Sequence, residues 1–309
     1  MVESISPAGR PYALLFPGQL FERPGMGVPL RGQEGFERLL PRFHDLTKGR
    51  FVRWVTEAPA EEISERFTAP QLMVLFGCAA AEAARVRLGP PAAAAGYSLG
   101  FYAAAVFARC VALEPILKWL ERVNEVNACR FPPGACALAS ATGLSEGELK
   151  ETFAAAGLRS LEVANVNSAR QIVFAGPAAE VEAGRRALEG RALECRRLPL
   201  DVPLHTPYVE AAREAVTGWW GSVPASSPTL LLPSPVDGAP VGSGEAFKRH
   251  MLESLVSPTR WDLVVETLVR KGVTRMVDLS PGGELGRASR WVCREAEVVP
   301  LVSLLGGGS

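Results

Sequence analysis

The sequence lacks the patterns that mark several classes of protein. Its 309 residues include six cysteines, but no C-x-x-C pair stands among them, which argues against structural zinc and a disulfide framework. Lys plus Arg equals Asp plus Glu at 33 each, so no net charge is present to attract nucleic acid or an anionic membrane. The longest apolar runs stop well before the ~20 residues of a membrane span. With no basic-then-apolar signal segment at the N-terminus, we expect a cytoplasmic protein without a metal or redox cofactor.

Histidine is scarce, which limits the choice of a general base to His44, His205 and His250. His44 and His250 stand among charged residues and are predicted to lie on the surface. His205 lies in the segment VPLHTP at 202–207, where a proline on each side holds the backbone extended and stiff. We therefore predict His205 as the base; the alternative is a histidine that caps a helix beginning near Pro207.

Short apolar runs alternate with helical patterns along the chain, as in α/β proteins. The run at 13–16 predicts a buried strand, and Thr68 with Gln71 predicts a capping box at the start of a long helix. A second short strand at 92–95 is followed at once by the pentapeptide GYSLG at 96–100 and an alanine-rich helix. This order predicts a strand, a tight turn and a helix.

The pattern changes between residues 134 and 198. There the order is strand, helix, two strands, helix and strand, which is the order of a ferredoxin-like βαββαβ unit. We therefore predict an α/β fold in which residues 1–130 and 199–309 form a large subdomain with a parallel sheet. Residues 131–198 are predicted to be a small ferredoxin-like subdomain inserted into it.

The pentapeptide G-x-S-x-G places a serine, Ser98, on the predicted strand-to-helix turn. Such a turn projects the hydroxyl outward, and the amides at the start of the following helix point to where an oxyanion would form. The only aspartate between Ser98 and His205 is Asp201, and it stands too close to His205 on the same stiff loop to reach Nδ1. A backbone carbonyl could orient the ring instead, which predicts a Ser-His dyad.

Several sequence blocks taken together resemble malonyl-CoA:acyl carrier protein transacylases and the acyltransferase domains of polyketide synthases. They occur in the order and spacing of that family and cover nearly the whole chain. The blocks are FPGQ at 16–19 with GMG at 25–27, GYSLG at 96–100, ANVNS at 164–168 with Gly176, VPLHTP at 202–207, and SPxRW at 257–261 with SPGG at 280–283.

The resemblance implies an α/β-hydrolase-like core, a ferredoxin-like insertion and transfer through an acyl-serine. By position, Ser98 matches the nucleophile and His205 the base. The backbone amides of Gln19 and Leu99 match the oxyanion hole, and the main-chain carbonyl near Ser254 matches the group that orients the histidine.

One departure from the family bears on the substrate. The gapless stretch after the nucleophile places Val123 where malonyl-transferring members carry the arginine that pairs with the free carboxylate of malonate. A carboxylate desolvated there without a partner would lose several kcal/mol, about a thousandfold or more in loading. The neighbouring Arg122 is turned about 100° away on the helix and should point elsewhere.

Further departures predict an apolar acyl pocket. In the resemblance, Phe101 follows the GYSLG turn, Tyr97 precedes the nucleophile and Leu204 precedes the base. Asn165 lies in the matching block ANVNS and is included in the predicted pocket. Leu20 and Phe21 replace polar or small residues of the family's Gln-Gly-Ser-Gln block. The predicted pocket residues are Val123, Phe101, Leu204, Tyr97 and Asn165.

In the family, the acyl donor and the acyl acceptor each carry a phosphopantetheine arm, on coenzyme A or on an acidic acyl carrier protein. The resemblance therefore implies acyl-CoA and acyl carrier protein as partners. Docking an acidic helix calls for a basic patch. The candidate carrier patch lies on the small subdomain and consists of Arg185, Arg186, Arg191, Arg196 and Arg197. The alternative is that these arginines belong to ordinary solvated helix faces. We expect a monomer.

Four functions remain open from the sequence. The first is an acyltransferase that moves a non-malonyl acyl group to a carrier protein in polyketide or fatty-acid assembly. An acyl-carrier-protein hydrolase would use the same dyad but let water deacylate the serine. The other two are a malonyl-CoA:acyl carrier protein transacylase and a non-catalytic carrier-binding partner; retention of both Ser98 and His205 disfavours the last.

Overall fold

The computed structural model describes residues 10–305, and its strands form two sheets. The elements up to residue 130 are β1 (Tyr12–Phe16), α1 (Glu34–Glu37), α2 (Leu40–Thr47), α3 (Arg50–Thr56), α4 (Ala60–Ile63), α5 (Thr68–Leu88), β2 (Ala93–Gly96), α6 (Gly100–Phe107) and α7 (Leu113–Arg130). The next are β3 (Cys136–Thr142), α8 (Glu146–Ala155), β4 (Glu162–Ser168), β5 (Gln171–Pro177), α9 (Ala178–Ala187) and β6 (Glu194–Leu198). The last are α10 (Glu210–Ser222), α11 (Gly244–Val256), β7 (Thr259–Arg260), α12 (Trp261–Arg270), β8 (Arg275–Asp278), α13 (Glu284–Val292), β9 (Glu297–Pro300) and α14 (Leu301–Leu305).

The first sheet is parallel and has the strand order β2-β1-β8-β9. Every residue of β1 is buried, as expected of a strand that is covered by helices on both faces. The carboxyl ends of β1 and β2 lie side by side, with Phe16 opposite Gly96. The two loops that follow these strands, at 17–22 and 97–99, therefore begin at the same sheet edge, where α/β proteins bind their ligands.

The second sheet has the order β6-β3-β5-β4-β7. Its first four strands are antiparallel neighbours and, with α8 and α9, have the ferredoxin-like order. The mixed α/β class with a parallel sheet and a second sheet is therefore confirmed. The short strand β7 lies outside the predicted range 131–198, yet it pairs in parallel with β4.

Helix α5 begins differently from the prediction. Thr68 is its first residue, and no side-chain cap hydrogen bond is made by the preceding Phe67. The carboxylate of Glu65 accepts hydrogen bonds from the amides of Phe67 and Thr68, at 3.0 and 2.9 Å. The predicted capping box of Thr68 with Gln71 is wrong because Glu65 already satisfies these amides. Across residues 10–305, no helix combines the length and the apolar character needed to cross a membrane.

Candidate active site

Ser98 lies on the tight turn between β2 and α6, with φ of +52°. The turn needs glycine on both sides of it. A Cβ on Gly96 would stand 2.1 Å from the Phe101 nitrogen, and one on Gly100 would stand 2.1 Å from the Phe16 oxygen. The two glycines of the pentapeptide thus let α6 approach both strands closely enough to present the Ser98 hydroxyl beyond the sheet edge.

His205 contacts Ser98 directly. The Ser98 Oγ lies 2.6 Å from His205 Nε2, and His205 Nδ1 lies 2.5 Å from the main-chain oxygen of Ser254. A carbonyl oxygen can only accept, so Nδ1 carries the proton and Nε2 is the acceptor for the serine hydroxyl. The arrangement is a Ser-His dyad whose ring is oriented by a backbone carbonyl of α11.

The backbone and burial of His205 favour its role as a base. Its amide donates to the Leu255 oxygen at 2.8 Å, so α11 holds both the main chain and the ring. Burial lowers the pKa of His205, while the hydrogen bond to Ser254 acts in the opposite direction. The ring is therefore kept neutral and able to accept a proton. Asp201 lies instead 4.0 Å from the Arg66 guanidinium.

Two backbone amides beside Ser98 are available as oxyanion donors. The amides of Gln19 and Leu99 donate no hydrogen bond to any other group among residues 10–305. Leu99 directly precedes the first residue of α6, so its amide lies at the positive end of a helix. Leu20, next to Gln19, has φ of +73°, which is a strained conformation for leucine and holds the loop in a sharp turn.

Two cavities flank Gln19 and Leu20. The larger one, of about 690 Å³, reaches Leu204 beside the base and Asn124 on α7. The smaller one, of about 440 Å³, reaches Tyr97 beside the nucleophile and opens between the second sheet and α13. We call them the cargo cavity and the arm cavity. Neither cavity is lined by Ser98 or His205 itself; each is lined by a residue adjacent to one of them in the sequence.

Helix α7 carries an uncharged residue, Val123, at the position where the family has its arginine. Val123 is buried on the same face as Ile116 and Leu120, as the helical spacing predicts. The Arg122 guanidinium lies over the ring of Trp219, 4.6 Å from its centroid. The prediction that Arg122 points elsewhere is therefore confirmed.

Only two of the predicted pocket residues line these cavities. Leu204 lines the cargo cavity and Tyr97 the arm cavity. Val123 and Asn165 are buried in α7 and β4 and line neither. The prediction that Phe101 forms a pocket wall is wrong, because its fully buried ring packs against Phe247 in the core, with centroids 5.9 Å apart.

Tyr97 joins the two sheets. Its hydroxyl donates to Asn167 Oδ1 on β4 at 2.9 Å, and its ring packs edge-on against Phe21 and Trp261. Burial raises the pKa of Tyr97 to about 12, so the phenol stays protonated. Tyr97 is therefore a fixed part of the arm cavity wall and not an acid or base.

The cargo cavity contains charged groups that sequence reasoning missed. Arg66 and Glu22 both line it. The Arg66 guanidinium donates to the main-chain oxygens of Phe131 and Asn127, at 3.2 and 3.4 Å, so two of its nitrogens are held by the end of α7. No periodic sequence pattern identifies Arg66 as a residue of this cavity. Glu22 lies in the block at 19–22, where the sequence differs from that of the family.

The prediction for His250 is wrong. It is buried, and its Nδ1 lies 3.0 Å from Ser234 Oγ. The charged neighbours in the sequence, Lys248 and Arg249, lie on the other faces of α11, so the local composition gave a misleading signal. His44 is exposed, as predicted.

The five arginines of the predicted carrier patch differ in their surroundings. Arg185 and Arg186 both lie near Glu182, at 2.7 and 3.8 Å. Arg196 and Arg197, on β6, are exposed and line the cargo cavity, and Arg196 also lines the arm cavity. Arg191 is exposed in the loop between α9 and β6.

Comparison with known proteins places this site in a family. The sequence profile described as acyl transferase domain matches residues 36–307. The chain is 27% identical over 273 residues to the polyketide biosynthesis protein ThaF of Burkholderia thailandensis, an alignment that covers 88% of this chain and 23% of ThaF. The chain therefore spans less than a quarter of that relative's length.

Two further relatives match over nearly their whole length. The malonyl CoA-acyl carrier protein transacylase of Bacillus subtilis is 26% identical over 293 residues, which covers 93% of this chain and 92% of the relative. The solved structure of the transacylase of that name from Coxiella burnetii has the same fold, with a TM-score of 0.89 at 24% identity over 96% of both chains. Because the family profile covers most of its length, the chain belongs to the acyl transferase domain family.

Proposed function

We propose that this acyltransferase moves an uncharged, non-malonyl acyl group from coenzyme A or an acyl carrier protein to an acyl carrier protein, through an acyl ester on Ser98. The observation that carries the proposal is the 2.6 Å contact between Ser98 Oγ and His205 Nε2, with His205 Nδ1 held by the Ser254 carbonyl. This geometry supplies a nucleophile and its base in one orientation.

The reaction has two half-steps. Ser98 Oγ attacks the thioester carbonyl while His205 Nε2 takes its proton, and the amides of Gln19 and Leu99 stabilise the oxyanion. The carbon–sulfur bond then breaks, and His205 returns the proton to the departing thiolate. In the second half, the acceptor thiol gives its proton to His205 and attacks the acyl ester. The bond between the acyl carbon and Ser98 Oγ then breaks, and His205 returns the proton to that oxygen. Preorganised amides of this kind are worth about 3 kcal/mol each on the barrier.

The choice of an uncharged acyl group rests on the position of Val123 on α7, which matches the carboxylate-binding arginine of the family, although Val123 itself lines neither cavity. Val123 supplies neither charge nor hydrogen-bond donor, and Arg122 is stacked on Trp219. Among the guanidiniums that line the cavity, Arg66 is engaged by two main-chain oxygens and lies near Asp201, whereas Arg196 and Arg197 are exposed on β6. A malonyl carboxylate beside Val123 would meet no bidentate partner from α7, and its desolvation there would cost several kcal/mol.

The choice of carrier protein rests on the relatives and on charge. The curated relatives with near-complete coverage are named as transacylases of acyl carrier protein, and ThaF as a polyketide biosynthesis protein. Arg196 and Arg197 lie exposed at the mouths of the cavities and are our candidates for contacting an acidic carrier. Arg185 and Arg186 share Glu182, which weakens their attraction for a further acidic group.

The test follows the acyl group by intact-protein mass spectrometry. The protein is incubated with a panel of neutral acyl and malonyl thioesters, with and without a holo carrier protein as acceptor. We expect a neutral acyl adduct on Ser98 that moves to the carrier when the carrier is added. Release of free acid at the same rate with and without carrier would contradict transfer and identify a hydrolase, and loading by malonyl alone would contradict the proposed substrate.

A further inference from the structure

Helix α13 exposes one face that carries two arginines and a tryptophan. Arg290 and Trp291 follow Arg287 by three and four residues, a spacing that places all three on the same side of a helix. All three are exposed, whereas Leu285 and Ser289 belong to the buried side of α13. We call Arg287, Arg290 and Trp291 the α13 face.

The two arginines of the α13 face keep their charge available. Each donates a hydrogen bond to a main-chain oxygen, at 3.1 Å from Arg287 and 2.7 Å from Arg290. Neither forms an ion pair with a carboxylate among residues 10–305, because Glu284 and Glu297 on either side pair with other arginines. The turn at 293–296 adds one charge of each sign. The α13 face therefore attracts anions.

Trp291 is an aromatic side chain without a packing partner. It is 68% exposed, and no aromatic ring or guanidinium of the described residues stacks on its indole. Single apolar side chains at a surface are common, but this one stands between two unpaired arginines. Tryptophan and arginine are the residue types that contribute most often to the energy of protein interfaces.

The α13 face lies at the mouth of the arm cavity. Arg287 and Trp291 line this cavity together with Tyr97, which precedes the nucleophile in the sequence, and with Arg196 of β6. A partner whose phosphopantetheine arm enters the arm cavity therefore brings its own surface against Arg287 and Trp291.

The shape and charge of the α13 face favour one kind of occupant. Small-molecule sites are concave, whereas this face is the convex side of a helix, which suits the surface of a protein better than a nucleotide. A second copy of the chain related by a twofold axis would bring like charges together. An acidic protein meets neither obstacle.

We propose that the α13 face is a docking surface for the carrier protein, with Trp291 packed between side chains of an acidic helix and Arg287 and Arg290 paired with its carboxylates. The proposal rests on the proposed acyl transfer and names a contact of the carrier beyond Arg196 and Arg197 of β6.

The experiment uses the carrier protein that accepts the acyl group in the transfer test, in its apo form. Without the phosphopantetheine arm, this carrier accepts no acyl group and competes with the holo form through its protein surface alone. The measured quantities are the inhibition constant of the apo carrier and the rate of Ser98 acylation by butyryl-CoA. For the unmodified protein we expect competitive inhibition that weakens as salt is added.

The variants separate the apolar part of the contact from the charged part. Trp291→Ala should raise the inhibition constant about tenfold or more, and Trp291→Phe should restore most of the inhibition. Arg290→Glu should also raise the constant and should make it less dependent on salt. Acylation by butyryl-CoA should change far less, because coenzyme A brings no protein surface to α13. The control variants Val86→Ala and Arg109→Glu, exposed at the opposite edge of the parallel sheet, should leave the constant as it was.

The outcomes distinguish this proposal from the proposed function. If the apo carrier does not inhibit, or if Trp291→Ala leaves its inhibition constant unaltered, the docking surface is wrong while acyl transfer stands. An equal loss of inhibition and of butyryl-CoA acylation, in a variant of unchanged Tm, would also overturn it and would assign the α13 face to the nucleotide of coenzyme A. If no carrier accepts an acyl group from Ser98, the proposed function itself has failed.

Discussion

Ser98 and His205 both have left-handed backbone conformations, with φ of +52° and +63°, and their side chains meet at 2.6 Å. This conformation is uncommon for residues other than glycine, and each such residue costs on the order of 1–3 kcal/mol. The surrounding contacts offset this cost, through the glycines beside Ser98 and through α11 behind His205. Backbone strain is thus present at both residues whose side chains the proposed chemistry needs.

Replacing the nucleophile should remove covalent chemistry completely. Ser98→Ala is expected to give no acyl adduct with any thioester, because within residues 10–305 the Ser98 hydroxyl is the one that hydrogen-bonds to the His205 ring. The measurement is intact mass after incubation with acyl-CoA. Ser140→Ala, a serine that lines the arm cavity, should still form the adduct. An adduct on the Ser98→Ala protein would show that the nucleophile has been assigned to the wrong residue.

The acid side of the pH–rate profile should reflect a histidine whose pKa is lowered by burial. The base works when neutral, so acylation should fall off only below the ordinary histidine pKa of about 6.5. The profile of kcat/KM against pH measures this midpoint. His205→Gln should slow acylation by roughly 10²- to 10⁴-fold and abolish that limb. A midpoint above 6.5 would mean that the charged ring is favoured in the free enzyme.

The same shift affects stability in a defined direction. With the folded pKa lowered, the unfolded chain binds more protons between the folded value and about 6.5. The contribution of His205 to the free energy of unfolding is therefore complete above about pH 6.5 and is lost as the pH falls toward the folded value. Urea titrations at pH 7.5 and 5.5 should show a smaller pH-dependent loss for His205→Gln than for the unmodified protein. An equal loss in both proteins would assign the acid sensitivity to other groups.

Val123→Arg tests the missing cation. A guanidinium on the buried face of α7 should lower the free energy of unfolding by several kcal/mol, because it is desolvated without a partner. It should also slow loading of neutral acyl groups and raise loading of malonyl. Malonyl-CoA should raise the Tm of this variant more than butyryl-CoA does, whereas Glu125→Arg on the exposed side of α7 should show no such difference. A Tm that responds equally to both thioesters would place Val123 outside the acyl subsite.

Asp278 should be important for stability alone. It is fully buried at the end of β8, and its two carboxylate oxygens accept from the amides of Ser280 and Gly286 at 2.7 and 2.6 Å. Asp278→Asn turns one acceptor into a donor facing an amide, so the free energy of unfolding should fall by about 2–3 kcal/mol. Urea denaturation measures this, with Asp237→Asn at an exposed turn as the control. Unchanged stability would show that the amides find other acceptors.

Much of the fold could be predicted from local patterns. The buried run at β1, the glycines around Ser98 and the strand–helix order at 134–198 each determine a local structure by themselves. The pairing of β7 with β4 could not be predicted, since a two-residue strand has no periodicity and its partner is distant in sequence.

The candidate site also has parts that could be predicted from the sequence and parts that could not. Ser98 and His205 stand in stiff motifs whose chemistry is visible in the residues themselves. Phe101 was misassigned because the helix turns it into the core, toward Phe247. Arg66 was missed because its place in the cavity depends on tertiary contacts with the end of α7.

The most direct test of the account is a competition between malonyl-CoA and a neutral acyl-CoA for Ser98. Equal concentrations of malonyl-CoA and butyryl-CoA are mixed with the protein, and the two adducts are resolved by intact mass within the first turnover. The account predicts an adduct that is almost wholly the neutral acyl group, by about a thousandfold if burial of the carboxylate costs several kcal/mol. An adduct that is mainly malonyl, or an equal mixture of the two, would contradict it.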